Sequence, residues 1–407
     1  MSTDMSAEMS LAADPGMPFP AGPAGGIEVS AVMPCLNEER TLALCIRKAQ
    51  AAFDTLGVRG EVIVADNGST DRSVEIAETL GARVVIETVR GYGAALRAGI
   101  RAARGRVIVM GDSDDSYDWS AIEPFVRKIS EGYDLVIGNR FRGGIEPGAM
   151  PPLHRYLGNP VLSVIARIAF RMKVGDVHCG MRAFTPAAFD AMQTTTTGME
   201  FATEMIANAA HQRLRIGEIP TRLYPDKRDR PPHLRSFRDG WRHLRFMLTY
   251  APDHLYLAPG LSMLVAGLAM QFALAAGPLQ FGAAHFGLHY VALGGMLSLV
   301  GFNLLNLGVL AKTLMAQRYR GLTSRVVALL RRRFSVETGI IASAVIGLPG
   351  VVIDLVILAR WLADPSRAMG ETVHAAFVAT TMVVLAANVA FSSFLLNMML
   401  DAPETRD

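Results

Sequence analysis

Arg106-Val107-Ile108-Val109-Met110-Gly111-Asp112-Ser113-Asp114-Asp115 sets the reading of this chain. Its apolar run reads as a strand. An acidic turn then falls at that strand's carboxyl end. Working outward, residues 28–34, 61–65, 83–86 and 133–137 form further short strand patterns. Helical stretches separate them at 38–56, 71–80, 93–104 and 120–131. Strand and helix alternating at this spacing predict βαβ units and a mostly parallel sheet in an α/β domain. Ligands of such sheets sit beyond the carboxyl ends of the strands. Polar clusters fall there: Asn37-Glu38 after the first strand, Asp66-Asn67-Gly68 after the second, the acidic turn after the fourth, and Asn139-Arg140 after the fifth.

The rest of the chain has a different solvent. Of 407 residues 51% are hydrophobic and 19% charged, which fits a soluble domain joined to a membrane domain. From Leu255 to Ala311 there is no Asp, Glu, Lys or Arg. A span needs roughly 20 residues, so this stretch holds two, broken near Gly277-Pro278. The expected spans are about 256–277, 288–311, 338–359 and 374–400, the third interrupted by Asp354. Lys312, Arg318, Arg320, Arg325, Arg331, Arg332 and Arg333 join the second span to the third with no acid among them. The positive-inside rule makes that loop cytoplasmic, together with everything before the first span and the C-terminus. The expected organisation is a disordered tail (1–27), an α/β domain (28–235), a basic amphipathic interfacial helix (236–252) and an all-α transmembrane domain (253–401).

A net charge of +3, from 40 Lys+Arg against 37 Asp+Glu, gives no case for nucleic-acid binding. Cys35, Cys45 and Cys179 make neither a zinc pattern nor a disulfide framework, which suits a reducing compartment. The opening residues have no basic segment followed by an apolar run, so no signal peptide is expected.

Asp112 and Asp114, two residues apart, can reach a hard divalent cation and leave its other positions to phosphate oxygens and water. The bland alternative is an acidic turn capping the helix that begins near Ser120. A calcium loop fails, because Tyr117 stands where that loop requires glycine. Gly91-Tyr92-Gly93 lacks the third glycine of a dinucleotide fingerprint and reads as a helix-opening turn.

Taken in order, Pro34-Cys35-Leu36-Asn37-Glu38, Asp66-Asn67-Gly68-Ser69-Thr70-Asp71, Gly91-Tyr92-Gly93 and Asp112-Ser113-Asp114 resemble the family 2 glycosyltransferases of GT-A fold. Gly138-Asn139-Arg140-Phe141 and Asp176-Val177-His178-Cys179-Gly180-Met181-Arg182 look like the dolichol-phosphate mannose and polyprenyl-phosphate glucose synthases within it. The resemblance covers about residues 28–250. It implies that Pro34, Asn37 and Glu38 line the nucleotide-base pocket, with Asp66 bonding base or ribose and Asn67 and Gly68 shaping the turn. It implies Mg²⁺ or Mn²⁺ on Asp112 and Asp114 against the donor diphosphate, and lipid phosphate on Arg140 and Arg155. Arg182 lies in the motif that closes over the sugar. One departure is Arg230-Pro231-Pro232-His233, where many relatives have a Gly-Ser-Ser-Lys-like loop, so Lys227, Arg228 and Arg230 all stay open as diphosphate contacts.

The implied activity is inverting transfer of a hexosyl group from a nucleotide sugar to a polyprenyl phosphate. The multi-pass protein would lie in the cell (inner) membrane with its catalytic domain cytoplasmic. A phosphate monoester is already an anion near neutral pH, so it needs charge screening and positioning where a hydroxyl needs a base. Three alternatives stay open: a processive polysaccharide synthase, a glycolipid synthase using a hydroxyl acceptor, and a non-catalytic lipid-binding scaffold. Against the first, Trp119, Trp241 and Trp361 are not in a Gln-x-x-Arg-Trp context. No nucleic-acid partner is expected, and monomer and homo-oligomer both stay open.

Overall fold

The computed structural model describes residues 26–227, 236–282, 284–318, 325–363 and 372–401. The chain divides into two compact units, Met1–Met247 and Leu248–Asp407.

The first unit is built on a seven-stranded sheet ordered β3-β2-β1-β4-β6-β5-β7. Its strands are β1 (Val29–Cys35), β2 (Gly60–Asp66), β3 (Arg83–Ile86), β4 (Val107–Met110), β5 (Leu135–Asn139), β6 (Arg182–Phe184) and β7 (Ile216–Pro220). Strands β1 to β4 pair in parallel, as do β5 and β7. Only β6 runs antiparallel, wedged between β4 and β5. The mostly parallel GT-A-like α/β reading is therefore correct. Every residue of β4 and β5 is buried, which is why β4 and the first three residues of β5 are apolar in a run rather than alternating.

Helices α1 (Leu42–Leu56), α2 (Ser73–Thr79), α3 (Tyr92–Ala102) and α4 (Glu123–Ser130) make the crossovers. The helix expected from Glu38 begins at Leu42. Before it, Asn37 has φ +58 and its Oδ1 accepts from the Thr70 N–H at 2.7 Å, so the chain turns before it coils. After β5 come the one-turn α5 (Arg140–Gly143), a π-helical turn at His154–Gly158 and α6 (Asn159–Phe170). Next are α7 (Pro186–Met192), α8 (Phe201–His211) and α9 (Ser236–Thr249).

In the second unit, four helices are long and apolar enough to cross a membrane: Asp253–Leu274, Leu288–Gln317, Val336–Ala363 and Val373–Leu400. A small hairpin, Leu279–Phe281 with Ala284–Phe286, follows the first, and a basic helix, Arg325–Arg333, precedes the third. The first two helices pack backbone to backbone. A Cβ on Gly267 would lie 2.5 Å from Gly294 O and Ser298 N, so only glycine fits there. Gln271 Nε2 donates to Thr381 Oγ1 at 2.8 Å and Asn306 Nδ2 to Ser392 Oγ at 2.6 Å, tying the bundle across helices. Each such bond contributes about 0.6 kcal/mol in lipid. Asp354 stands part-exposed on the third helix.

Candidate active site

Parallel pairing of β2, β1 and β4 brings three polar turns to one sheet edge. Their own hydrogen bonds hold them together. Asp66, 3% exposed, closes its turn by accepting from the Gly68 and Ser69 N–H groups at 3.0 and 3.1 Å. Asn67 is a brace. Its amide donates to Glu87 O and Val89 O and accepts from Gly91 N–H, fixing the loop that opens α3. Asn37 N–H and Glu38 N–H donate to Ser69 Oγ and Ser73 Oγ, and Ser113 Oγ donates to Pro34 O at 2.7 Å. The expected donor-side residues Pro34, Asn37, Glu38, Asp66, Asn67 and Gly68 thus share one edge with the acidic turn.

Within that turn the three carboxylates differ. Asp112 is half-buried, and its Oδ1 accepts from the Tyr92 hydroxyl at 3.0 Å. Its main-chain oxygen accepts from Trp119 Nε1 at 2.9 Å. Asp114 is 7% exposed, and its Oδ1 accepts from Ser116 N–H and Oγ. Asp115, at φ +62, points the other way into an ion pair with Lys48 at 2.7 Å and Lys227 at 2.6 Å. Burial alone would raise the Asp115 pKa, but Lys227 and Lys48 hold it below the ordinary carboxylate range. Of the basic residues considered for the diphosphate, Lys227 is held by Asp115, while Arg228 and Arg230 lie outside the described residues.

Asp112 and Asp114 present the hard oxygens that Mg²⁺ or Mn²⁺ takes. Among the described residues no group of three His, Cys, Asp or Glu side chains is placed to hold a metal. Gly180 keeps the approach clear, since a Cβ there would lie 2.8 Å from Asp112 Oδ2.

The cationic side of the site is built from residues far apart in sequence. Arg140 opens α5 at the end of β5. Its Nε and Nη2 donate to Asp176 at 2.7 and 2.8 Å, and its main-chain N–H to the same carboxylate at 3.0 Å. Asp176 is 0% exposed and Arg140 8%. Burial disfavours the Arg140 charge, but Tyr117 and Asp176 outweigh it and raise its pKa. Tyr117 sits between the two halves, its hydroxyl accepting from Gly180 N–H at 3.0 Å. Arg182 is fully buried and donates to Cys179 O, Ala202 O and Val177 O. The first and last of these bonds tie Arg182 to the 177–180 loop.

Arg155 lies on the π-helical turn, with its guanidinium 5.5 Å from the Tyr156 ring. Its neighbour His154 is lowered in pKa by burial and then by the Arg140 charge. His178 packs edge-on against His243 of α9 at 4.7 Å, and His243 Nδ1 shares a 2.8 Å hydrogen bond with Thr203 Oγ1. Burial, then His243 and Arg140, push the His178 pKa well down. Burial also pushes the thiols up, Cys35 to about 11 and Cys45 and Cys179 to about 12, which makes them packing groups rather than nucleophiles.

Sequence reasoning missed Tyr92, Tyr117 and Lys48 as site-forming residues. Tyr92 stood inside the quoted Gly91-Tyr92-Gly93 turn. Nothing local marks Tyr117 or Lys48.

Residues 30–192 match glycosyl transferase family 2, and residues 309–400 match the glycosyltransferase family 2 C-terminal transmembrane region. The low-salt glycan biosynthesis hexosyltransferase Agl6 of Haloferax volcanii is 39% identical over 369 residues, covering 90% of this chain and 88% of the relative. A dolichyl-phosphate hexose transferase of the same organism is 34% identical over 194 residues, 47% of this chain and 81% of that protein. Among solved structures, Mycobacterium tuberculosis glucosyl-3-phosphoglycerate synthase with Mg²⁺ and uridine diphosphate is similar at TM-score 0.45. It is 23% identical and covers 56% of this chain and 80% of that one.

Proposed function

This chain belongs to glycosyl transferase family 2, and from that premise we propose that it moves a hexosyl group from a nucleotide sugar to a polyprenyl phosphate, with inversion, at the cytoplasmic membrane face. One observation carries the reading: a two-carboxylate turn, Asp112 and Asp114, lies across Tyr117 and Gly180 from a guanidinium kept charged by Asp176. Acid on one side and a fixed cation on the other suit two phosphate-bearing substrates meeting between them.

The turns at Asn37 and Asp66 receive the nucleoside. Mg²⁺ or Mn²⁺ on Asp112 and Asp114 would supply charge neutralisation for the departing nucleoside diphosphate. Tyr92 orients the Asp112 carboxylate through its hydroxyl. Arg140, and Arg155 on the adjoining turn, hold the acceptor phosphate as groups that stay charged at any working pH. An acceptor already anionic attacks the anomeric carbon without a placed base, and single displacement inverts configuration there. The dolichyl-phosphate hexose transferase relative supports this acceptor class. The basic run between the second and third spans supports a cytoplasmic catalytic domain in the inner membrane.

Purified membranes given a panel of radiolabelled nucleotide sugars test the proposal. Label moving into an organic-solvent extract, released by mild acid as free hexose, is the expected result. Label passing instead into water-soluble polymer, or onto a neutral glycolipid, overturns it. So does nucleoside diphosphate release with none of the donors.

A further inference from the structure

The first unit carries an exposed apolar face that its own core does not cover. Leu153, Leu157, Val161, Val164 and Ile168 recur at the three- and four-residue steps of one helix face. They are 46%, 57%, 46%, 41% and 58% exposed, and Tyr156 beside them is 74% exposed. The opposite face, Ser163, Ala166 and Phe170, is buried in the domain. α6 buries this second face in the domain, so it is a surface helix of the domain and not a span with lipid all round.

Charge points to the occupant. From Pro147 to Gly175 the chain has no Asp or Glu, while Arg155, Arg167, Arg171 and Lys173 stand along or just after the helix. Arg167, Arg171 and Lys173 are exposed. Large apolar side chains on one face with arginine and lysine at its margins are what a helix lying in an anionic membrane surface requires. A bilayer is also at hand, because the same chain carries four helices long enough to cross one.

We propose that the helix from Pro152 to Phe170 lies flat in the bilayer surface, with Leu153, Leu157, Val161, Val164 and Ile168 below the headgroups and Arg167, Arg171 and Lys173 among anionic lipid phosphates. The catalytic domain then meets the membrane through a surface of its own, in addition to the spans that follow it. The proposal stands whichever sugar and acceptor the enzyme uses, since it rests on exposure and charge alone. Where the acceptor is a lipid phosphate, this contact also holds the Arg140 side near the headgroup layer, through the turn that carries His154 and Arg155.

Nitroxide labels on the full chain in lipid nanodiscs decide it. Cysteines replace Leu157, Val161, Val164 and Ile168 singly, with Leu44 and Ile86 as exposed apolar controls elsewhere on the domain. The native Cys35, Cys45 and Cys179 are buried and do not compete for label. In discs containing phosphatidylglycerol, the four helix labels should favour oxygen over a water-soluble nickel chelate and report depths of about 5–10 Å. The two controls should show the reverse. Discs of phosphatidylcholine alone should give shallower labels, as should Arg167→Glu with Arg171→Glu in anionic discs. Four labels open to nickel refute the proposal. Labels shielded from both oxygen and nickel also refute it. Dipolar coupling between them would then identify a second copy as the occupant, and its absence would identify another part of this chain.

Discussion

The buried Arg140–Asp176 pair has both a structural and a chemical part, and one set of substitutions separates them. Asp176 accepts three hydrogen bonds from Arg140 while fully buried, so removing its charge strands a guanidinium that is 8% exposed. Breaking a buried pair in this way costs about 3–5 kcal/mol. For a domain of this size that corresponds to a Tm lower by roughly 6–20 °C. Asp176→Asn and Arg140→Met should each show a loss of that order in thermal unfolding of the detergent-solubilised chain, followed by near-ultraviolet circular dichroism. The double variant Arg140→Met, Asp176→Leu should recover part of it, because neither charge is then stranded. We expect a coupling of about 1.5–3 kcal/mol in that cycle. The recovered fold still lacks a guanidinium for the acceptor. Transfer should therefore stay down about ten- to a hundredfold in the double variant, through the acceptor KM, with donor nucleotide bound normally. Single variants costing under about 1 kcal/mol, or a double variant with wild-type acceptor KM, would refute the reasoning.

Four further outcomes are expected. Asp114→Ala should remove nearly all transfer and Asp112→Ala should be severe, since both carboxylates are asked to hold the cation; folded variants that turn over normally in chelator would falsify the site. Gly180→Ala should displace the Asp112 carboxylate, raising the Mg²⁺ concentration needed for half-maximal transfer while Tm changes little, and an unchanged metal requirement counts against the open approach described above. Cysteines substituted near Arg325 should be labelled by impermeant thiol reagents only from the cytoplasmic side, whereas labelling from outside reverses the topology. Stability should fall as pH drops below about 6.5, with buried His178 contributing up to about 1.4 kcal/mol per pH unit. The sign follows from His178 and His154, whose folded pKa values are depressed, so the unfolded chain binds protons that the folded one refuses. His178→Gln should flatten that slope, and a wild-type Tm constant between pH 7.5 and 5.5 would contradict it.

Sheet and spans were legible in the sequence because both are written locally. A strand buried on both faces must be apolar along its length, as Val107–Met110 is, and a span must stay apolar for the thickness of a bilayer. The polar groups after Cys35, Asp66 and Met110 were legible for a related reason, since parallel strands gather their carboxyl ends at one edge. Tertiary structure alone decided the rest. Strand β6 is three residues long, begins with an arginine and runs against its neighbours, so no period marks it. Asp176 and Arg140 are 36 positions apart, and Lys227 and Asp115 are 112 apart. The surroundings of each carboxylate in the acidic turn depend on such distant partners. Asp112, Asp114 and Asp115 look alike in sequence, but Asp115, at φ +62, pairs with Lys48 and Lys227, while Asp112 accepts from the Tyr92 hydroxyl and Asp114 from Ser116. A carboxylate's chemistry is set by the charges and hydrogen-bond donors within a few ångströms of it, and the folded topology, not chain proximity, puts them there.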